Sequence, residues 1–282
     1  MKQDGEFKMK LDMLYSTHED RIHSLIEKLP LSNSCVNIVI VHQMNINSNY
    51  DYIMEPLLKE RSDIKYYKSF TKGVTKSRNI ALKNATGDIV LFCDDDVIYR
   101  KDIQKIIIEQ YRINPEIGFI TFAYSNQTDM QNAAKKFHSS SFKHNLKTIL
   151  KVGTIEVTAR REPIIKNKVC FPEDMGAGAT YFLCDEPVFL SKLLKNSMNG
   201  IYKPLIIGYH PADSSGQIFN KKEAFASRYL CFTRIFGLFF GPSLYYLYLV
   251  KNLNKFKTIN DLNNAFFIMF KIKHNKNIRT KL

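Results

Sequence analysis

The sequence predicts an α/β protein built on a mostly parallel, Rossmann-like sheet covered by helices, and three observations carry that expectation. Short apolar runs alternate with helical segments through the first half of the chain. One of these runs, Asp88-Ile89-Val90-Leu91-Phe92-Cys93, is continuously apolar after its first residue, as a strand covered on both faces should be. Three carboxylates, Asp94, Asp95 and Asp96, follow it directly. Ligands of α/β sheets bind at that carboxyl end.

The elements read in order. Strands are predicted at residues 11–16, 36–41 and 64–67, with a helix around 20–28 between the first two. A basic helix over about 75–83 precedes the strand at 88–93, and a further helix is predicted at 102–108. Residues 124–150 are polar and turn-rich, either a loop over the site or a surface connection, and carry no assigned chemistry. A last strand is predicted at 204–209, ending at His210.

Neither GxxxxGK[ST] nor GxGxxG occurs, so bound phosphates would be neutralised by a metal and by basic side chains. Asp94 and Asp96 stand two residues apart; on extended backbone they face the same way and can share one divalent cation. One of the three carboxylates could instead cap the helix that follows.

The order of parts Lys72-Gly73, Ser77-Arg78-Asn79-Ile80-Ala81-Leu82, Ala85-Thr86-Gly87-Asp88, apolar strand and Asp-Asp-Asp resembles a family 2 glycosyltransferase of the GT-A fold, bacterial surface-polysaccharide type. The resemblance covers roughly residues 10–215. It implies an inverting transferase that takes a nucleotide-sugar donor with Mn²⁺ or Mg²⁺. It places Asp94 near the donor ribose, Asp96 on the metal and diphosphate, and Arg78 and Asn79 on the helix facing the nucleotide. Lys72 and Asp95 join this donor-side set. The ends of the first two strands, Ser16, Thr17 and Gln43, are expected to hold the base. Many members carry Asp-Gly-Ser after the second strand where this chain has His42-Gln43-Met44-Asn45, which leaves the nucleotide open.

A second segment, Met175-Gly176-Ala177-Gly178 through Cys184-Asp185-Glu186-Pro187, resembles the acceptor side of the same family. Gly176 and Gly178 would let backbone approach the acceptor sugar. The resemblance makes Glu186 the base that takes the acceptor hydroxyl proton, with Asp185 as the other candidate because the usual acidic order is inverted here. Asp185-Glu186-Pro187 also reads as a helix start. His210 is expected to complete the metal shell.

The chain has 282 residues and 45% hydrophobic content, enough for one large core or a core with an appendage. Its five cysteines are irregularly spaced and read as reduced thiols of a cytosolic protein, and the polar start has no signal-peptide core. Residues 229–250 are aromatic and apolar, interrupted by Arg234 and by Gly241-Pro242. Two short helices lying on a bilayer surface are expected there, with a docked helix pair or a spanning helix as alternatives. The following tail is basic within a chain of formal net charge +14 and suits an anionic membrane. No nucleic-acid motif accompanies the charge.

Together these readings predict a catalytic unit at 1–215 and a basic, membrane-associating helical region at 216–282. The enzyme would lie on the inner face of the cell membrane and transfer a sugar to a glycan or polyprenyl-linked acceptor hydroxyl. A catalytically silent interaction subunit of the same fold and a nucleotidyltransferase are the alternative readings.

Overall fold

Four strands make the half of the sheet that the first 100 residues predict. β1 (Leu11–His18), β2 (Val36–Gln43), β3 (Ile64–Ser69) and β4 (Ile89–Asp94) are all parallel, in the order β3-β2-β1-β4. The order reverses about β1, so the carboxyl ends of β1, β2 and β4 frame the crevice in which such sheets bind ligands. The computed structural model describes residues 9–134, 136–211 and 218–273.

Helices α1 (Arg21–Lys28), α2 (Asp51–Glu60) and α3 (Val74–Asn84) connect these strands. The Thr86-Gly87-Asp88 turn before β4 is explained by a buried carboxylate. Asp12 on β1 accepts hydrogen bonds from the Thr86 and Gly87 amides at 2.6 and 2.8 Å and from Asn37 Nδ2 at 2.7 Å. A Cβ at Gly87 would lie 2.5 Å from Asp12 Oδ1, so only glycine fits this turn.

The other half of the sheet is mixed. β5 (Ile98–Tyr99) and α4 (Ile103–Ile113) lead to β6 (Phe119–Ser125), followed by β7 (Phe142–Lys143), β8 (Val157–Arg160) and α5 (Arg161–Lys166). α6 (Asp185–Lys195) then precedes β9 (Gly200–Tyr209). β8 runs antiparallel to both β4 and β6, while β9 is parallel to β6 and carries β5 and β7 as antiparallel neighbours. The expected parallel character therefore holds for the first four strands and gives way where β8 inserts between β4 and β6. Two apolar clusters fill the sheet's faces. One contains Leu11, Ile38, Leu91 and Ile107, the other Leu14, Phe92, Phe171 and Phe189. Phe171 and Phe189 stack at 4.0 Å with Phe92 edge-on to both.

The C-terminal region is a docked helical hairpin, the docked helix pair among the sequence's alternatives. α7 (Lys222–Lys251) breaks at Gly237, whose φ of 82° and ψ of 173° are not helical. The two halves fold back on each other. A Cβ at Gly241 would come within 2.5 Å of Thr233 Cα, and the Tyr229–Tyr245 and Phe232–Tyr248 rings meet at 5.4 and 5.6 Å. α8 (Ile259–Lys273) covers the pair. By length and composition α7 is the one helix among the described residues that could cross a membrane. The bend leaves two segments of about 15 residues, roughly 22 Å each, shorter than a bilayer core of about 30 Å.

Both terminal nitrogens of Arg234 bond Asp174, at 2.9 and 2.6 Å, and fasten the hairpin to the rest of the chain. Met175 and Val188 share a buried cluster with Leu230, Tyr245 and Ile268. The expected boundary at residue 215 lies outside the described residues, as do residues 274–282 of the basic tail.

Candidate active site

A cavity of about 350 Å³ opens at the carboxyl ends of β1, β2 and β4. Ser16, Thr17, Gln43, Lys72, Arg78, Asp94 and Asp95 of the expected donor side line it together with Asp96, and Gly178, expected on the acceptor side, lines this same cleft instead. Gln43 donates to the Gly73 carbonyl at 2.6 Å. Gly73 itself has a φ of 121°, which favours glycine, and its Cα lies 3.4 Å from where a Cβ on Gly178 would stand. The Val74 amide donates to the Ala177 carbonyl at 2.9 Å, so the two glycine-bearing turns close one wall of the cleft together.

The three aspartates do not act as a set. β4 ends at Asp94 and the chain turns, so the extended geometry that would aim Asp94 and Asp96 together is lost. Asp94 accepts from Arg78 Nη2 at 3.0 Å. Asp95 is buried, accepts from Thr17 Oγ1 at 2.7 Å and pairs with Arg21; it ties the end of β4 to the end of β1, and burial pushes its carboxyl above the usual range. Asp96 places Oδ2 3.2 Å from Arg21 and Oδ1 3.6 Å from His210 Nε2. None of the three caps α4, whose N-cap is Asp102.

Asn79 corrects the sequence reading. Its Nδ2 donates to the Phe171 carbonyl and to Glu173, and its Oδ1 accepts from the Phe171 amide at 2.8 Å. It braces the segment before the second motif and does not line the cleft. Its place one residue after Arg78 turns it to another face of α3.

Arg78 is the hinge of the site. The side chain is buried, with Nη2 on Asp94 and Nη1 2.6 Å from Asp185 and 3.9 Å from Glu186. Burial disfavours its charge, but Asp94, Asp185 and Glu186 together raise its pKa above the ordinary value. The Asp185 carboxyl is raised by burial first and by Glu186 second, against the pull of Arg78. Asp185 does not cap α6. The N-cap is Cys184, which has a φ of 68°, an uncommon conformation for a non-glycine residue, directly before the two acids. Gly176 is required here, since its Cβ would meet both Asp185 and Thr75 at 2.9 Å.

Glu186 faces a different space. Its side chain is 21% exposed against 5% for Asp185. It accepts from Thr154 Oγ1 at 2.5 Å and opens onto a second cavity of about 430 Å³, beside Cys184, Lys151 and Arg228.

Asp96 and His210 fit a divalent cation. Asp96 Oδ1 and His210 Nδ1 are buried without hydrogen-bond partners, and the carboxylate and imidazole face each other. No group of three His, Cys, Asp or Glu side chains among the described residues surrounds one point. A two-residue site suits an ion that draws its remaining ligands from substrate phosphates and water.

Four cleft residues escape sequence reasoning: His18, Arg21, Val74 and Ala177. Arg21 had a readable signal, a cation in the first turn of the helix that follows β1 at the crevice. Thr154 had none, because its contact with Glu186 spans 32 residues.

Residues 17–164 match the family described as Glycosyl transferase family 2. No curated protein matches the sequence. Among solved structures, the S. aureus TarS 1-349 complex with UDP-GlcNAc superposes with a TM-score of 0.60 at 16% identity, covering 80% of this chain and 66% of that one. The mannosyltransferase PcManGT from Pyrobaculum calidifontis, in complex with GDP-Man and Mn²⁺, gives 0.54 at 13% identity over 93% of this chain and 70% of that one. In another TarS structure this chain spans only 39% of the neighbour's length, at 17% identity. With more than half of the sequence inside the family match and a GT-A sheet around the cleft, the chain belongs to glycosyl transferase family 2.

Proposed function

We propose that the protein is an inverting, metal-dependent transferase that moves one sugar from a nucleotide donor to a hydroxyl of a glycan or lipid-linked acceptor in surface-polysaccharide assembly. The observation that supports this best is the position of Arg78, which holds Asp94 on the donor cleft and Asp185 beneath the second cavity, with Glu186 beside it.

The nucleotide lies in the cleft between Ser16, Gln43 and Asp94, with its diphosphate toward Asp96, Arg21 and Lys72. Asp96 and His210 would hold Mn²⁺ or Mg²⁺, which would supply charge neutralisation for the departing diphosphate. Glu186, the more accessible of the two acids, takes the acceptor hydroxyl proton as the oxygen attacks the anomeric carbon. The carbon–oxygen bond to the diphosphate breaks, the glycosidic bond forms with inversion, and the nucleoside diphosphate leaves. Asp185, buried on Arg78, acts as a positioning residue.

The hairpin bend carries Leu238, Phe239 and Phe240, which are 66, 90 and 72% exposed. These three side chains, with the basic C-terminal region, seat the enzyme on the cytoplasmic face of an anionic membrane.

The test is nucleotide release from a panel of UDP-, GDP- and dTDP-sugars with Mn²⁺ or with EDTA, in the presence of a membrane extract as acceptor source. Metal-dependent release from one donor is the expected result. Silence across the panel with the extract present would refute the transferase reading.

A further inference from the structure

The cavity beside Glu186 does not end there. A second hollow of about 500 Å³ lies against it, and the two share Lys136, Lys147, Lys151 and Val152 as a common wall. The lysines therefore stand in the middle of one continuous groove. Glu186 lies at one end of that groove. At the other end Tyr202 stacks on Phe142 at 4.9 Å and lies parallel to Phe137 at 6.3 Å. Aromatic faces of this kind suit the C–H faces of sugar rings.

The charges along the groove are unbalanced. Lys136 is matched by Glu156, buried beside it at 2.5 Å. Lys147 and Lys151 bracket a single 3₁₀ turn (Thr148–Lys151), both exposed, and among the described residues neither ammonium has a carboxylate partner. Arg228 is engaged with the Ile218 carbonyl and the Phe219 ring, so the unmatched charge of the two hollows is that of Lys147 and Lys151. A neutral acceptor would leave this surplus unused, and an acceptor with an anion near its attacked hydroxyl would neutralise it.

We infer that the acceptor of this transferase is an anionic glycan, bound with its phosphodiester or carboxylate on Lys147 and Lys151 and with sugar residues running both ways along the groove. The central position of the lysines argues for charge within a glycan. A lipid-diphosphate carrier would need its cations at one end of the groove, followed by an apolar channel. The inference rests on the transferase reading for the word acceptor, but the anion-binding groove is measurable without it.

The full-length protein is titrated with four probes. They are tetragalacturonate, its neutral methyl ester, a hexose oligomer joined by phosphodiesters, and a short-chain lipid-diphosphate monosaccharide. Binding is read at low and high salt, and donor hydrolysis is followed separately in wild-type protein. At least one anionic glycan should bind about tenfold more tightly than the neutral ester, with the advantage falling as salt screens it. K147A/K151A should lose that advantage and K147R/K151R should keep it. Both side chains are exposed, so the variants fold. Equal binding of charged and neutral glycans would overturn the inference. So would preference for the lipid diphosphate over both anionic glycans, or a preference that survives K147A/K151A. Selective anion binding without hydrolysis of any donor would instead defeat the transferase reading and leave the groove standing.

Discussion

Arg78 and Asp185 lie 107 residues apart in the chain and 2.6 Å apart in the fold, both buried. The contact joins the basic helix of the first motif to the acidic helix start of the second. The same guanidinium reaches Asp94, so the carboxylate at the end of β4 and the one at the start of α6 share one cation. Removing that cation strands the buried Asp185 carboxylate, which typically costs about 3–5 kcal/mol. Arg78→Met should therefore lower the urea midpoint sharply as well as abolish transfer. Arg78→Lys should restore little of either, because one ammonium cannot replace a planar fork that reaches two partners.

Glu186→Gln and Asp185→Asn should fail differently. Glu186 is partly exposed and accepts from Thr154, an interaction an amide oxygen can keep. Its glutamine variant should keep the wild-type urea midpoint and donor KM while kcat falls by about 10²–10⁴. Asp185→Asn leaves Arg78 short of one buried counter-charge and should lower stability together with activity. Equal loss of kcat with full stability in both variants would remove the distinction.

His210→Gln should weaken the metal requirement without touching the fold. An imidazole 3.6 Å from Asp96 is expected to contribute about 10–100-fold in metal affinity. The readout is the Mn²⁺ concentration for half-maximal nucleotide release, which should rise by that factor. An unchanged midpoint would leave Asp96 as the metal's protein ligand.

Glu156 gives a pH prediction with a definite sign. Burial pushes its carboxyl from an ordinary value of 4.5 up to about 7, with Lys136 pulling back. The folded state thus holds a proton that the unfolded state has released between those values. Stability falls as pH rises from about 4.5 to about 7 and then levels for this group. Glu156→Gln should flatten that part of the stability profile, measured as urea midpoint against pH.

Phe239→Ser/Phe240→Ser should leave the urea midpoint near wild type, because both rings are already in water. Co-sedimentation with anionic liposomes should drop several-fold, and a neutral-lipid control should show how much of the remainder is charge. Undiminished sedimentation would assign the attachment to the basic region alone.

The parallel half of the sheet and the cleft at its strand ends were readable because their parts are local. The apolar run of β4, the carboxylates after it and the basic helix before it fall within about 25 residues of sequence. Periodicity therefore locates the strand end, and the strand end locates the cleft. What was not readable depends on turns and long-range contact. The turn after Asp94 separates the three aspartates, and Asn79 faces away because it is one position from Arg78 on a helix. Lys136 and Lys147 come from a stretch, residues 124–150, that reads as polar connection, and Thr154 lies just beyond it. They acquire meaning only when β7 pairs with β9 and α6 brings Glu186 alongside. The hairpin was half legible. Gly241 and Pro242 mark a break in the sequence, but the bend falls at Gly237, and only the close approach of Gly241 to Thr233 explains why a side chain is excluded there.

On a bilayer surface the bend at Gly237 would act as a depth stop. Arg234, with both arms on Asp174, sits three residues before it, so about one helical turn of apolar chain lies beyond the last fixed charge. At about 1.5 Å per residue that is roughly 5 Å of reach, the shallow end of the headgroup layer. On a bilayer the protein would float at one level, pinned by three side chains and unable to sink. Its lysine groove would then keep a constant height above the lipid, a fixed geometry for a substrate that passes along the surface.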